Sequence, residues 1–435
     1  MSMNRLALGL SIALMSSTGT AGTFVFAGEG NGVDMVAHPE GYSGTGGAIS
    51  VDVCIEPTTN NQTDMVVPLQ NAIAHWNQMQ QSVGNLRSGS DNQLTASQVD
   101  WESTMMHELG HCIGLAHPNL ANESGLTGSD LEYTKTTDGA DNAFNLTIGA
   151  DNVRGSGDDT RGDDVNMHWY RRNSNNPFAL QEPPFDFSTY ARDLTALPAG
   201  QTFAANGDRT VSTLLSASGT EAIMQQGQFS DEDQRTLTAD DVATLRLARA
   251  GNDRTAGNAD DYTVQLTYGG VGTGCKITAI IDTTFTGLAV CELGGSFLSG
   301  NNIQITSARM RFSSTTNWHF ATIRVPEPVA ETINVATGGT ATTTSGGASS
   351  LLANDTHPNG TALVLSTTAF PGPANGSITL NANGTFSYTH NGNSATTDRF
   401  VYRVCASGNT NACSMQRVDI TISGASSLIF ANGFE

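Results

Sequence analysis

The chain has 435 residues, of which 38% are hydrophobic and 14% are charged, and its formal net charge is −21. This length favours more than one domain, and an abundance of Gly, Thr, Ser and Asn is typical of β-rich extracellular modules. The negative charge argues against nucleic acid as a partner, because no cationic surplus can displace phosphate counterions, and it also disfavours docking on anionic lipid.

The N-terminus has the pattern of a secretory signal peptide. Arg5 provides a positive charge, residues 6–15 form an apolar run too short to span a bilayer, and small residues follow. Cleavage is expected after Ala21 or Ala27, with an uncleaved anchor or a buried helix as the alternative. We assign residues 1–27 to the signal peptide. We expect a secreted chain without membrane insertion, since no later stretch is long and apolar enough for a span.

A strand and two helices are predicted next. Residues 49–55 (ISVDVCI) are typical of a strand, and apolar side chains recur at helical spacing in residues 64–79. Residues 84–96 are predicted to be a short polar loop. Asp100 then has the position of an N-cap for the second helix, whose sequence carries the main motif of the chain.

Residues 107–117 read HELGHCIGLAH. His107 and His111 are four residues apart, so a helix presents both imidazoles on one face, one turn apart. Gly114 can adopt positive φ and reverse the chain, which brings His117 toward the same point. The spacing therefore predicts a Zn²⁺ site with three histidine ligands.

Glu108 lies next to the first of these ligands. Three neutral histidines leave one tetrahedral position of zinc open, which is the mark of a catalytic rather than a structural site. A carboxylate beside that position can take a proton from water and pass it to a leaving amine. Glu108 is therefore predicted to be the catalytic acid and base.

An acidic, glycine-rich stretch occupies residues 138–164. Its aspartates include Asp151, Asp158, Asp159 and Asp163. Short oxygen ligands in flexible turns suit Ca²⁺, so these four residues are candidate calcium ligands. A solvated acidic loop without a bound ion is the alternative, and the sequence does not match an EF-hand.

The second half of the chain changes from helix to strand. Residues 237–250 are predicted to form a helix, and residues 261–325 alternate as strands of either a separate domain or an extension of the first. Residues 326–350 have the composition of a linker that merges into the first strand of another module. The remainder to residue 423 is predicted to be all-β.

Six cysteines in an apparently exported chain predict three disulfides. Two pairs lie close in sequence within β-like segments, and the two remaining cysteines would join an early strand to the motif helix. The expected pairs are Cys275–Cys291, Cys405–Cys413 and Cys54–Cys112.

HELGHCIGLAH resembles the metzincin signature HExxHxxGxxH, and its residues HELGH and GLAH are most similar to those of the matrixin branch. This resemblance implies that His107, His111 and His117 bind zinc and that Glu108 is the catalytic residue. It also implies a methionine beneath the metal, the Met-turn. Met224 in TEAIMQQG is the preferred match because a helix follows it, and Met167 is the competing one.

The chain departs from the matrixin pattern in three ways. About a hundred residues separate the last histidine from Met224, which implies an insertion at about residues 118–219 and would also suit another branch, such as the pappalysins. Residues 84–96 are too short for the strands that the family usually has there, so the substrate-binding edge strand is not accounted for. Gln226 stands where some metzincins have a metal-approaching tyrosine.

The C-terminal segment LLANDTHPNG…GSITLNANGTFSYTHN resembles bacterial cadherin-like, Ig-type β-sandwich modules. The expected fold is an α+β metzincin-like catalytic domain followed by a β-rich region and an all-β Ig-like sandwich. The expected boundaries are 28–254 for the catalytic domain, 255–326 for the β-rich region, 327–424 for the sandwich and 425–435 for a tail.

These patterns predict a secreted zinc-dependent endopeptidase whose partners are protein or peptide substrates. The alternative hypothesis is a surface or matrix adhesion protein, in which the zinc site is structural or vestigial. In that case the C-terminal module would bind a surface or matrix ligand.

Overall fold

The structure of the protein is a computed structural model. Its described part is β-rich with few helices, and the buried apolar side chains form two separate cores. Among the described residues, no helix combines the length and hydrophobicity needed to cross a membrane. The described residues are 23–27, 31, 35–95, 97–117, 146–147, 150, 160–161, 170–171, 178, 184–191, 209–214, 216–225 and 227–424.

We call the part of the described chain from Thr23 to Phe320, which surrounds the larger core, the first body. It begins with the predicted strand and the two predicted helices, all of which are confirmed. Residues 84–96 are more structured than the predicted loop, since they contain a short strand and the 3₁₀ turn Gly89–Asp91. The elements in chain order are β1 (Val36–His38), β2 (Gly47–Ile55), α1 (Gln62–Gln78), β3 (Leu86–Ser88), β4 (Val99–Asp100) and α2 (Trp101–Cys112).

Short elements follow, and then the predicted third helix. Thr238 caps this helix in a capping box with Asp241, which explains why the helix begins at Ala239. Strand β9 pairs with β3 in an antiparallel ladder. The elements are β5 (Leu146–Thr147), β6 (Thr160–Arg161), β7 (Tyr170–Arg171), β8 (Tyr190–Ala191), α3 (Arg209–Leu214), β9 (Glu232–Gln234) and α4 (Ala239–Arg249).

The β-rich region after α4 completes the sheet of the first body, so it is an extension and not a separate domain. Strand β2 lies between two later strands, β10 and β11, and pairs with both in parallel. Strand β13 runs parallel to β11 and antiparallel to β12, which forms an edge. The strands are β10 (Tyr262–Val271), β11 (Ile277–Asp282), β12 (Ala289–Ser299), β13 (Asn302–Ser313) and β14 (Trp318–His319).

Helices α1 and α2 pack together on this sheet. Helix α1 contacts β10 and β2, whereas α2 contacts β12 and β13. The indole Nε1 of Trp76 in α1 donates to the carbonyl of Met106 in α2 at 3.0 Å, and the Trp76 side chain is buried. A buried indole whose N–H is satisfied in this way links the two helices directly.

Two of the three predicted disulfides are wrong. The structure pairs Cys54 with Cys275 and Cys112 with Cys291, whereas Cys405–Cys413 is confirmed. The reason is the sheet topology, because β2 lies directly between β10 and β11 and therefore beside the segment that joins them. Closeness in sequence pairs cysteines correctly only where both belong to one hairpin, as in the C-terminal module.

The C-terminal body is an all-β sandwich of two sheets around its own core, as the sequence predicts. One sheet has the strand order β15-β21-β20-β17 and the other has β16-β19-β18. Residues 326–350 already contain two of these strands, so little of this segment is linker. The strands are β15 (Glu331–Ala336), β16 (Thr340–Ala341), β17 (Leu363–Leu365), β18 (Gly376–Leu380), β19 (Phe386–His390), β20 (Thr397–Ala406) and β21 (Cys413–Ser423).

Candidate metal centre

The motif helix α2 is fixed at its N-terminus by a buried ion pair. Asp100 is the N-cap as predicted, and its carboxylate accepts the backbone N–H of Ser103 at 3.0 Å. The same carboxylate accepts two hydrogen bonds from the guanidinium of Arg235, at 2.8 and 2.5 Å. This bidentate pair, together with the Ser103 contact, satisfies the buried charge and ties α2 to the end of β9.

The chain reverses directly after α2 because Gly114 has a φ of 120°. A Cβ atom at this position would lie 2.8 Å from the carbonyl oxygen of Ala37, so conformation and space both require glycine. The N–H of Leu115 then donates to the carbonyl of Gly110 at 3.0 Å. This reversal carries His117 back toward the helix.

The three predicted histidines converge. Their Nε2 atoms lie 3.0 Å apart for His107 and His111, and 3.1 Å apart for each of the two pairs with His117. The Nδ1 atom of His107 contacts the carbonyl of Ile223 at 2.7 Å, and that of His111 contacts the carbonyl of Leu115 at 2.8 Å. Because a carbonyl only accepts, these Nδ1 atoms carry the protons, and the two Nε2 lone pairs face each other.

This arrangement fits a tetrahedral cation. Ligand nitrogens about 2.05 Å from a zinc ion are separated by roughly 3.3 Å in ideal geometry, and the observed triangle is only slightly smaller. Burial lowers the pKa of His107 to about 4. Burial and the neighbouring His107 lower the pKa of His111 to about 3. Both rings are therefore neutral near pH 7, which is the form that binds metal.

Glu108 is buried on α2 and follows His107 directly in the chain. Burial raises the pKa of its carboxyl to about 8, and a hydrogen bond from the backbone N–H of Cys291 opposes that shift. Its Oε2 atom has no hydrogen-bond partner within the described part of the chain. A carboxyl group with one unpartnered oxygen and a pKa near neutrality can act as a proton acceptor and donor.

Met224 lies beneath α2, where its sulfur faces the backbone of Gly110. The turn that carries it is held by Asp241, whose carboxylate accepts the N–H groups of Ile223 at 2.9 Å and of Met224 at 3.1 Å. The carbonyl of Ile223 also orients the ring of His107. By holding the turn in place, Asp241 therefore supports the orientation of a candidate metal ligand that it does not itself contact. Sequence reasoning missed Asp241, although its capping-box position was a usable signal.

Residues 23–27 form the other side of the reversing turn. The N–H of Ala116 donates to the carbonyl of Thr23 at 2.8 Å, and the N–H of Val25 donates to the carbonyl of Gly114 at 3.0 Å. Phe24 is 1% exposed and belongs to the first core. The expected boundary at residue 28 would exclude this segment from the domain, together with the buried Phe24 and both backbone hydrogen bonds.

The edge strand β12 lies alongside α2. Cys291 in this strand forms the disulfide with Cys112 and donates its backbone N–H to Glu108. Beyond Cys291 the strand continues into exposed residues, including Phe297, which is 61% exposed. Within the described part of the chain, β12 pairs with β13 alone, so its other edge is unpaired.

Several predicted residues lie outside the described residues. These are the four candidate calcium ligands Asp151, Asp158, Asp159 and Asp163, together with the competing Met167 and Gln226. Most of the signal peptide and the tail from residue 425 also lie outside them. The calcium site therefore stays a prediction.

A family described as bacterial cadherin-like domain matches residues 325–424. No peptidase family matches the chain, and no curated protein matches it. One similar solved structure is a nucleoside hydrolase-related hypothetical protein from Saccharophagus degradans that is associated with carbohydrate metabolism; it shares 14% identity over 27% of this chain and 35% of that chain, with a TM-score of 0.19. An endo-fucoidan hydrolase from glycoside hydrolase family 107 shares 12% identity over 31% of this chain and 18% of that chain, with a TM-score of 0.16. This chain thus spans about a third or less of the length of these proteins.

Proposed function

We propose that this chain is a secreted zinc-dependent endopeptidase of the metzincin type. The observation that carries the proposal is the convergence of three Nε2 atoms, from His107, His111 and His117, within 3.0–3.1 Å of one another. The Nε2 atoms of His107 and His111 both point lone pairs at the same place, because the protons of these two rings are on Nδ1. A divalent cation is the natural partner for such a set, and three neutral nitrogens favour zinc.

Zinc bound by three histidines supplies a Lewis acid that polarises a peptide carbonyl and makes water a nucleophile near neutral pH. Glu108 takes the proton of the attacking water on its Oε2 atom and delivers it to the amine that leaves. The backbone N–H of Cys291 donates a hydrogen bond to this carboxyl group and so restricts its position. Residues 23–27 and Gly114 fix the turn that presents His117.

The edge strand β12 supports an endopeptidase because its outer edge has no pairing strand among the described residues, so an extended peptide can pair with it by β-augmentation. The segment between α1 and α2 contains only the short strands β3 and β4, which pair with β9 and β14, whereas β12 comes from the chain after α4. We therefore assign the substrate-binding edge, and with it the completion of an α+β catalytic domain, to residues 289–299.

Three disulfides and a cadherin-like module are consistent with an extracellular protein. Of the two expected cleavage positions for the signal peptide, the one after Ala21 retains residues 23–27. We propose this position, because cleavage after Ala27 would remove a buried phenylalanine and two backbone hydrogen bonds from the turn at His117.

A surface or matrix adhesion protein is the second candidate function. The match of residues 325–424 to bacterial cadherin-like domains favours it. This module has a core of its own, so it can fold and bind a ligand as a separate unit. Under this hypothesis the module binds its ligand without proteolysis, and the histidine site has only a structural role.

Metal analysis and digestion of casein test the main proposal. We expect one zinc per chain and cleavage that a chelator abolishes. Glu108→Gln should keep the zinc and lose at least about a hundredfold in rate, as is usual for the loss of a general base. His117→Ala should lose both zinc and activity. His357→Ala, in the cadherin-like module, is the control and should change neither. Cleavage that persists in Glu108→Gln would overturn the assigned mechanism.

A further inference from the structure

A cavity of about 760 Å³ lies between the first body and the cadherin-like module. Four arginine side chains line it, two from each body. Arg246 and Arg249 come from the last turns of α4, Arg399 comes from β20, and Arg417 comes from β21. We call this cavity the arginine cleft.

The arginine cleft concentrates positive charge in an acidic protein. It holds four of the twenty Lys and Arg side chains of a chain whose net charge is −21. Two carboxylates, Asp261 and Asp419, also line it. Asp419 pairs with Arg417 at 2.9 Å, and Asp261 accepts the backbone N–H of Gly257. The lining therefore has a surplus of two positive charges.

The two arginines of α4 lack acidic partners among the residues that the structure describes. Within the described residues, neither Arg246 nor Arg249 forms an ion pair, and Arg246 instead lies over the ring of Phe185 at 5.2 Å. The Nε atom of Arg249 is buried without a hydrogen-bond partner among those same residues. Leaving a buried guanidinium N–H unsatisfied is costly, so the described part of the protein leaves this site incomplete.

The guanidinium groups also repel one another across the boundary between the two bodies. Burial and then Arg417 lower the pKa of Arg246. Burial lowers the pKa of Arg249 to about 10, while Tyr262 opposes this shift and Arg246 adds a smaller lowering. Burial and Arg417 lower the pKa of Arg399, while Asp419 opposes this shift. An anion placed among these side chains would relieve this repulsion.

We propose that the arginine cleft binds a small polyanion whose oxyanion groups bridge the arginines of α4 to those of β20 and β21. Carboxylate, sulfate and phosphate groups all match the planar fork of guanidinium donors. The cavity volume is within the usual range for small-molecule sites. The bound anion would hold the cadherin-like module against the first body. Anion binding in the arginine cleft does not require the zinc site.

Titration calorimetry on the full chain tests this proposal with two probes, citrate for carboxylates and pyrophosphate for phosphates, at constant ionic strength. We expect one of the probes to bind with 1:1 stoichiometry and a Kd below about 1 mM, and to raise the thermal midpoint more than sodium chloride does. Arg249→Gln and Arg417→Gln should each weaken binding about tenfold or more, which is the usual effect of losing a charge-assisted hydrogen bond. Glu108→Gln should bind the probe unchanged.

Arg309→Gln is the matched control, because Arg309 pairs with Glu56 on the first body and does not line the cleft. It should leave the Kd unchanged. Arg417 is only partly buried, so its variant tests the proposal even if Arg249→Gln does not fold. No binding of either probe at 10 mM, or equal weakening by Arg309→Gln and Arg417→Gln, would overturn the proposal.

Discussion

Gly110 packs its backbone against the sulfur of Met224. A Cβ atom at residue 110 would overlap this sulfur and would also lie 3.0 Å from the ring of Trp76. The glycine in the HELGH segment is therefore a packing requirement, because it lets the helix that carries His107 and His111 approach the turn that carries Met224. The carbonyl of Ile223 in that turn then reaches the Nδ1 atom of His107.

Gly110→Ala should destabilise the first body by about 1–3 kcal/mol, which is the usual cost of overpacking a core. Urea unfolding followed by tryptophan fluorescence measures this, since Trp76 and Trp101 both lie in that core. Gly274→Ala is the control, because a Cβ atom there would meet nothing within 4 Å. Adding Met224→Ala to Gly110→Ala should recover part of the packing loss in a double-mutant cycle, and strictly additive effects would contradict the contact.

Asp241→Asn should weaken zinc binding about tenfold to a hundredfold, as is typical when a group that supports a ligand is lost. The asparagine can accept fewer of the hydrogen bonds from Ile223, Met224 and Thr238, so the turn behind His107 loosens. Competition with a chromophoric chelator measures the affinity. Asp240→Asn, at the neighbouring buried position, is the control. A zinc affinity that is equal in the two variants would contradict this role.

Phe24→Ala should cost about 3–5 kcal/mol, as expected for a phenylalanine removed from a core. It should also lower the zinc affinity, because Thr23 and Val25 hydrogen bond to the turn that presents His117. N-terminal sequencing of secreted protein should give a mature chain that begins near residue 22. A mature chain that begins at residue 28 would show that residues 23–27 are dispensable.

The disulfide Cys112–Cys291 should stabilise the chain more than Cys405–Cys413 does. The chain-entropy model gives about 5 kcal/mol for a separation of 179 residues and about 2.5 kcal/mol for a separation of 8. Replacing each pair by serines and comparing the urea midpoints tests this order. Peptide mapping without reduction should link Cys54 to Cys275, and a peptide that links Cys54 to Cys112 would contradict the sheet topology.

The contribution of Glu102 to stability should fall between about pH 4.5 and pH 8, whereas the lowered pKa values of His107 and His111 make their contributions rise with pH up to about 6.5. Burial raises the pKa of this carboxyl to about 8, against an ordinary value of 4.5, although Arg235 opposes the shift. In this range the folded state keeps a proton that the unfolded state releases, so rising pH favours unfolding by up to about 1.4 kcal/mol per unit. Relative to the wild type, Glu102→Gln should lose this falling contribution, whereas the exposed control Glu327→Gln should keep it. An unchanged slope in Glu102→Gln would assign the dependence to another group.

The amino-acid sequence by itself determined the local features of the site. The histidine spacing, the N-cap at Asp100 and the reversal at Gly114 are all contained within about twenty residues. Helical periodicity and backbone conformation act over such distances, so pattern alone places His107, His111 and His117 near one point. The same reasoning predicted α1 and α4, and the resemblance to cadherin-like modules led to the C-terminal sandwich.

The tertiary structure alone decided which distant segments complete the first body. Strands β10 and β11 come more than two hundred residues after β2 but pair directly with it. Strand β12 supplies the partner of Cys112 and, within the described residues, an unpaired sheet edge. Parallel strand order leaves no signature in sequence spacing, because each strand is buried by neighbours from elsewhere in the chain. For the same reason the support from Asp241 and the arginine cleft became visible only in three dimensions.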